Sequence, residues 1–122
     1  MGKKVLTVDD SPTIRQALNL VLANAGYDVM EAEDGVDALS KLELDCFDMI
    51  VTDLNMPNMN GVELIREVRK RPGNRFTPIV MLTTESQDKK KQAGKAAGAS
   101  GWIVKPFRPE QLLTIVKMVC PS

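Results

Sequence analysis

Three features of the amino-acid sequence predict an α/β fold in which a parallel five-stranded sheet lies between two layers of helices. Short apolar runs alternate five times with amphipathic stretches, a βαβαβαβαβα order. The first, third and fourth runs are apolar on both faces, as strands covered from both sides are. The chain has 122 residues, 43% of them apolar, which suits one core of this kind. No linker, repeat or low-complexity stretch divides it, so residues 1–122 read as a single domain.

The first strand is expected at 4–8, where Val5-Leu6-Thr7-Val8 stops abruptly at Asp9-Asp10. Ser11 is a good helix N-cap, and Pro12 suits the first helical position. Ile14, Ala17, Leu18, Val21, Leu22 and Ala25 then recur at helical spacing until Gly26 supplies a left-handed stop. The second strand, 28–32, alternates and reads as an edge. A helix follows at 35–44 with Ala38, Leu39 and Leu42 inward. The third strand is expected at 48–52, followed by a helix at 61–71 that buries Leu64, Ile65 and Val68. The "RPGNRFTP" segment at 71–78 is a loop, and the fourth strand covers 78–83. The helix at 87–97 is the weakest, with only Ala93, Ala96 and Ala97 as an inward face and Gly94 inside it. A fifth strand at 101–104 leads to a last helix from Pro109 that buries Leu112, Leu113, Val116 and Val119.

Composition excludes several classes of function. Sixteen basic and sixteen acidic side chains cancel, so no basic face for nucleic acid is expected. No apolar run approaches the ~18 residues of a membrane span. The start "MGKKVLTV" lacks the apolar region of a signal peptide, and its Leu6 does not fit a myristoylation signal. Two cysteines, Cys46 and Cys120, without CxxC spacing or any histidine, exclude a zinc site or a Cys-His nucleophile. They read as ordinary thiols of a cytoplasmic protein.

Ligands of open parallel sheets bind beyond the carboxyl ends of the strands, where strand order reverses. The order 2-1-3-4-5, common to five-stranded sheets of this type, is taken over from that class; it puts the reversal between strands one and three. Strand one is followed by Asp9 and Asp10, strand three by Asp53 and strand five by Lys105, while strand four ends in Thr83. Each alone could be a loop or turn residue. Together they put three carboxylates, a hydroxyl and an ammonium on one rim. Three carboxylates without histidine or thiolate suit a hard, oxygen-seeking cation, Mg2+ best of all.

The same stretches carry a resemblance. "VDDS" at 8–11, "DLNMPNMNG" at 53–61, "TT" at 83–84, "AGASGW" at 97–102 and "KPF" at 105–107 make the chain similar over its whole length to the receiver domains of two-component response regulators. It most resembles the single-domain chemotaxis regulators of the CheY type, which have a flavodoxin-like (βα)5 fold. The resemblance implies that Asp53 is a phosphoacceptor served by a histidine kinase. It implies Mg2+ bound by Asp10, Asp53 and the backbone carbonyl of Asn55, with Asp9 assisting through water. Thr83 and Lys105 would hold phosphoryl oxygens, and a cis bond is expected at Lys105-Pro106. Thr83 and Trp102 would be the switch pair, although Trp stands where Tyr or Phe is commoner in the family. Thr84 also departs from the family, which usually has a smaller residue there, and would narrow access to Asp53. Asn55 and Glu85 would tune dephosphorylation.

The expected output is a phosphorylation-dependent protein contact on the face of the 87–97 helix, strand five and the last helix, such as with a flagellar motor switch protein. The lysines of "DKKK" at 88–91 and Lys95 would rim it. The protein is expected to be a monomer without further enzymatic turnover. A phosphate sink or relay, or a receiver cut from a longer regulator, are the alternatives. An aspartate-nucleophile phosphatase needs a second Asp two residues after its nucleophile, where this chain has Asn55. A flavodoxin-like cofactor binder needs a phosphate-cradling loop where "DDSPT" puts repelling carboxylates.

Overall fold

The computed structural model describes residues 3–84 and 88–121. Five parallel strands, β1 (Lys4–Val8), β2 (Asp28–Ala32), β3 (Met49–Asp53), β4 (Ile79–Thr83) and β5 (Gly101–Val104), form one sheet in the order β2-β1-β3-β4-β5. The helices α1 (Pro12–Asn24), α2 (Gly35–Leu44), α3 (Gly61–Arg69), α4 (Asp88–Ala97) and α5 (Pro109–Val119) are the crossovers and the final cover. The expected α/β class and strand order are both found.

Two hydrophobic clusters show the three layers. One side of the sheet, with Leu6, Val8, Ile50 and Met81, packs under α2 and α3 through Ala38, Leu42, Leu64, Ile65 and Val68. The other side, with Val5, Met49, Val51, Val80 and Leu82, packs under α1 and α5 through Leu18, Leu22, Leu112 and Val116. β1, β3 and β4 feed both clusters, which is why their sequences are apolar without alternation. β2 is an edge strand, as its alternation implied.

The helix ends follow local chemistry. Ser11 caps α1 by accepting the N–H of Ile14, and Asp34 caps α2 by accepting that of Asp37. Asn60 and Glu63 form a reciprocal capping box at the start of α3. Positive φ at Gly26 (96°) and Gly98 (112°) turns the chain out of α1 and α4.

Three details differ from expectation. The strand bounds shift by a residue: β3 begins at Met49 rather than 48 and runs on to Asp53, which still pairs with Leu82 in the ladder, and β4 begins at Ile79 rather than 78. α3 stops at Arg69, ahead of a short 3-10 turn over Pro72–Asn74. The inward faces of α1 and α4 also differ: Ala17 and Ala96 are exposed, while Gly94 is buried.

Candidate functional site

β1 and β3 are neighbours, with Val8 opposite Thr52. This register brings the acids that follow β1 against Asp53 at the end of β3. Oxygens of Asp9, Asp10 and Asp53 lie within 4.8 Å of one another, the one such cluster among the described residues. Asp9 is fully buried and Asp53 5% exposed, whereas Asp10 is open to solvent.

Lys105 completes the group from the end of β5. Its ammonium lies 2.9 Å from Oδ2 of Asp9 and 3.1 Å from Oδ1 of Asp53. The Lys105 N–H donates to the Thr83 carbonyl at 2.7 Å, which ties its backbone to the end of β4. The Lys105-Pro106 bond is cis, as expected. The other Asp9 oxygen accepts the N–H of Ser11 at 2.9 Å. The carboxylate of Asp9 is thus held on both oxygens.

The electrostatics follow from burial. Desolvation pushes the Asp53 carboxyl above its ordinary pKa; the charges of Asp9 and Asp10 push the same way, and Lys105 opposes them. Desolvation also works against the Lys105 ammonium, but its hydrogen bond to Asp9 and the Asp53 charge outweigh it and raise its pKa. Two buried carboxylates beside one ammonium leave net negative charge facing Asp10 and solvent. Every side-chain donor in the cluster is an oxygen, so the set fits a small hard cation and offers nothing to a soft one.

The remaining expected residues fall around this centre. Thr83 is buried at the end of β4, opposite Val104 of β5. Asn55 is exposed, two residues beyond Asp53, and Thr84 is exposed after Thr83. Trp102 is half-buried on β5 and packs against the cluster under α3. Glu85 lies outside the described residues, as do the side chains at 88–91. Cys46 is exposed ahead of β3, whose opposite end carries Asp53, and Cys120 is buried just after α5.

Two residues that sequence reasoning did not single out also shape the site. Gly61 opens α3 directly against Asp53: a Cβ there would stand 2.4 Å from the Asp53 carbonyl oxygen and 3.0 Å from the Leu54 Cα. Its N–H donates to the Leu54 carbonyl at 2.8 Å, closing the loop that follows β3. A glycine immediately after a helix cap was the available signal. The other is Arg15 of α1, whose guanidinium donates to the backbone carbonyl of Asp9. It is the one charged residue of α1, on the side turned toward the β1–β2 edge.

A carboxylate cluster at the strand-order reversal of a 2-1-3-4-5 sheet defines a class of doubly wound domains with an acidic rim. Within that class, the chain belongs to the response regulator receiver domain family, whose profile matches residues 5–117. It is 41% identical over 118 residues to the chemotaxis protein CheY1 of Helicobacter pylori, covering 95% of each chain. Among solved structures, the chemotaxis protein CheY4 of Vibrio cholerae superposes with a TM-score of 0.94 at 51% identity, over 98% of this chain and 99% of that one. The receiver domain of the sensor histidine kinase PA1611 of Pseudomonas aeruginosa, which has a magnesium ion coordinated in its active site cleft, superposes with a TM-score of 0.91 at 28% identity over the whole of both chains. The likeness to chemotaxis regulators of the CheY type extends over nearly the whole chain, as the sequence motifs implied.

Proposed function

We propose that this protein is a phosphorylation-activated response regulator that takes a phosphoryl group from a histidine kinase onto Asp53. The observation that carries this reading is the placing of Lys105 between two buried carboxylates beside the exposed Asp10. Mg2+ fits the all-oxygen cluster, and the magnesium ion in the related Pseudomonas receiver supports it. Asp10, Asp53 and the backbone carbonyl of Asn55 would be its protein ligands. Asp9, fully buried with both oxygens engaged, would act through water.

An oxygen of Asp53 attacks phosphorus, forming an O–P bond while the P–N bond of the phosphohistidine breaks and its electron pair returns to the imidazole. Bound Mg2+ supplies charge neutralisation for the phosphoryl and carboxylate oxygens. Lys105, 3.1 Å from Oδ1 of Asp53, would be within reach of a phosphoryl oxygen carried on that carboxylate. Thr83, next along the rim, offers its hydroxyl to another. Asn55, exposed two residues beyond Asp53, would help orient a hydrolytic water; the same role expected of Glu85 rests on the family resemblance.

The output is a protein contact on the face of α4, β5 and α5. Trp102 sits between two grooves there. One, of about 310 Å3, is lined by Lys95, Ala99, Ser100 and Gly101; the other, of about 530 Å3, by Val104, Arg108, Gln111, Thr114 and Ile115. A partner such as a flagellar motor switch protein would use this face, with Lys95 on its rim.

Phosphorylation is tested with acetyl phosphate and Mg2+. Acid-labile phosphate is expected on the wild type and absent from Asp53→Asn. Undiminished labelling of that variant would overturn the assignment. Retention of a target from cell extract by beryllofluoride-treated but not untreated protein identifies the output.

A further inference from the structure

We infer that Arg15 is a positioning residue for the acidic cluster, holding Asp10 at the rim through the backbone. The inference rests on the reading of that cluster as a Mg2+ site. The Arg15 guanidinium donates through one terminal nitrogen to the carbonyl of Asp9 and through Nε to Oε1 of Glu31 at 2.9 Å. It is 16% exposed, wedged between α1 and the β2 edge.

Asp10 needs outside help to stay in place. Asp9 is held at its N–H by the Ala32 carbonyl and at both carboxylate oxygens by Ser11 and Lys105. Asp53 is held by Lys105. The exposed side chain of Asp10 has no hydrogen bond among the described residues. Its placement is inherited from the peptide planes on either side. The following plane is fixed by the Ser11 N–H on Asp9 Oδ1. The preceding plane is fixed by Arg15 on the Asp9 carbonyl. A planar peptide pinned at its carbonyl also sets the direction of the next Cα, so Arg15 sets where the Asp10 carboxylate projects. Glu31 braces the guanidinium from β2 and balances its charge.

A positioning role and a purely electrostatic one predict opposite signs. A cation beside a metal site repels the metal, so removing its charge tightens binding. Removing a group that positions a ligand weakens binding, by about tenfold for outer-shell partners. The test is Mg2+ titration followed by the amide resonances of residues 9–11 and 53, with thermal melting of the metal-free protein alongside. Arg15→Met keeps the apolar stem and removes both hydrogen bonds; Mg2+ affinity is expected to fall about tenfold. Glu31→Gln removes the charge of the brace but keeps an oxygen that can accept from Nε, and it leaves the Asp9 contact, so a smaller loss is expected. Unchanged or tighter binding by Arg15→Met, or an equal or larger loss in Glu31→Gln, overturns the inference. If Arg15→Met does not fold, Arg15→Lys takes its place: one ammonium cannot span both partners, an intermediate loss is expected, and wild-type affinity overturns the idea. A wild type that binds no Mg2+ overturns the metal reading and this inference together; a wild type that binds while Arg15 proves indifferent overturns this inference alone.

Discussion

The ammonium of Lys105 lies 3.1 Å from Oδ1 of Asp53, and even this contact leaves the Asp53 carboxyl with a raised pKa. Burial and the adjacent Asp9 charge therefore outweigh one buried ammonium. Relative to the unfolded chain, the metal-free fold thus favours the protonated form of Asp53.

The first prediction follows by linkage. Because the folded pKa of Asp53 lies above its unfolded value, its contribution to stability is complete below the unfolded value and is lost as pH rises through the folded one. Asn cannot ionise and escapes that loss. In the absence of divalent cations, the stability of Asp53→Asn relative to wild type is expected to rise with pH across this window and level off above it. Urea unfolding at a series of pH values measures the difference; a flat difference contradicts the raised pKa. Mg2+ is expected to shift the difference back toward the wild type, adding about 2.7 kcal/mol to it at a hundred times its dissociation constant.

The second prediction concerns Gly61. A Cβ at 2.4 Å from the Asp53 carbonyl oxygen meets backbone that cannot swing aside as a side chain can. Gly61→Ala must push α3 away or displace the Asp53–Leu54 peptide, breaking the Gly61 to Leu54 hydrogen bond. Overpacking of this kind costs about 1–3 kcal/mol. A lowered melting temperature is expected, together with slower acetyl phosphate labelling among molecules that remain folded. Normal labelling in a destabilised variant would show that the nucleophile does not depend on this contact.

The third prediction concerns Arg69, at the end of α3. Its guanidinium donates to the carbonyls of Asn74 at 2.9 Å, Thr77 at 2.6 Å and Gly98 at 2.7 Å. One side chain thus ties the loop before β4 to the turn that ends α4. Arg69→Ala is expected to cost about 2–3 kcal/mol, since bonds to charged donors are worth more than neutral ones and the freed carbonyls regain water only in part. Amide exchange should quicken around Gly98 and Thr77 before it does in β1. Uniform quickening through the sheet would argue against a local clamp.

Element by element, what was legible in the sequence had a periodic signal. The bounds of β1, β2, α2 and β5 were readable because apolar runs ended in charge, glycine or a cap. The acidic rim was readable because the strand ends carry it. The inner face of α4 was not. Glycine adds nothing to a hydropathy pattern, so the burial of Gly94 was invisible while the exposed Ala96 looked inward. Arg15 and Asn19 were hidden for the converse reason. Along α1, polar residues lie toward the β1–β2 edge: Arg15 meets Glu31, and Asn19 accepts the Thr7 hydroxyl at 2.9 Å. Helical periodicity assigns such residues to solvent. Only the third dimension reveals that their partners are the backbone and polar groups of a sheet edge.

The last prediction concerns the meeting of Gly94 with Trp102. A Cβ at position 94 would stand 3.0 Å from Cζ3 of the indole and 3.3 Å from the Met81 methyl. The weakest helix therefore carries its glycine where the Trp102 ring requires space. Alanine improves helix propensity by about 1 kcal/mol, while the tight contact opposes it, so a small net change in stability is expected. The change in ring position should be the larger effect. Met81 can flex at its end, but the indole lies closer and is rigid, so the ring must move away from α4. Trp102 is the only tryptophan of the chain, so fluorescence reports it without interference. Gly94→Ala is expected to shift emission to longer wavelength as the ring gains solvent. If ring position and phosphorylation are linked, the variant should also differ from wild type in beryllofluoride affinity, because coupling between two sites acts in both directions. An altered spectrum with unchanged beryllofluoride affinity would separate Trp102 from the switch and leave it as an anchor between α4 and the sheet.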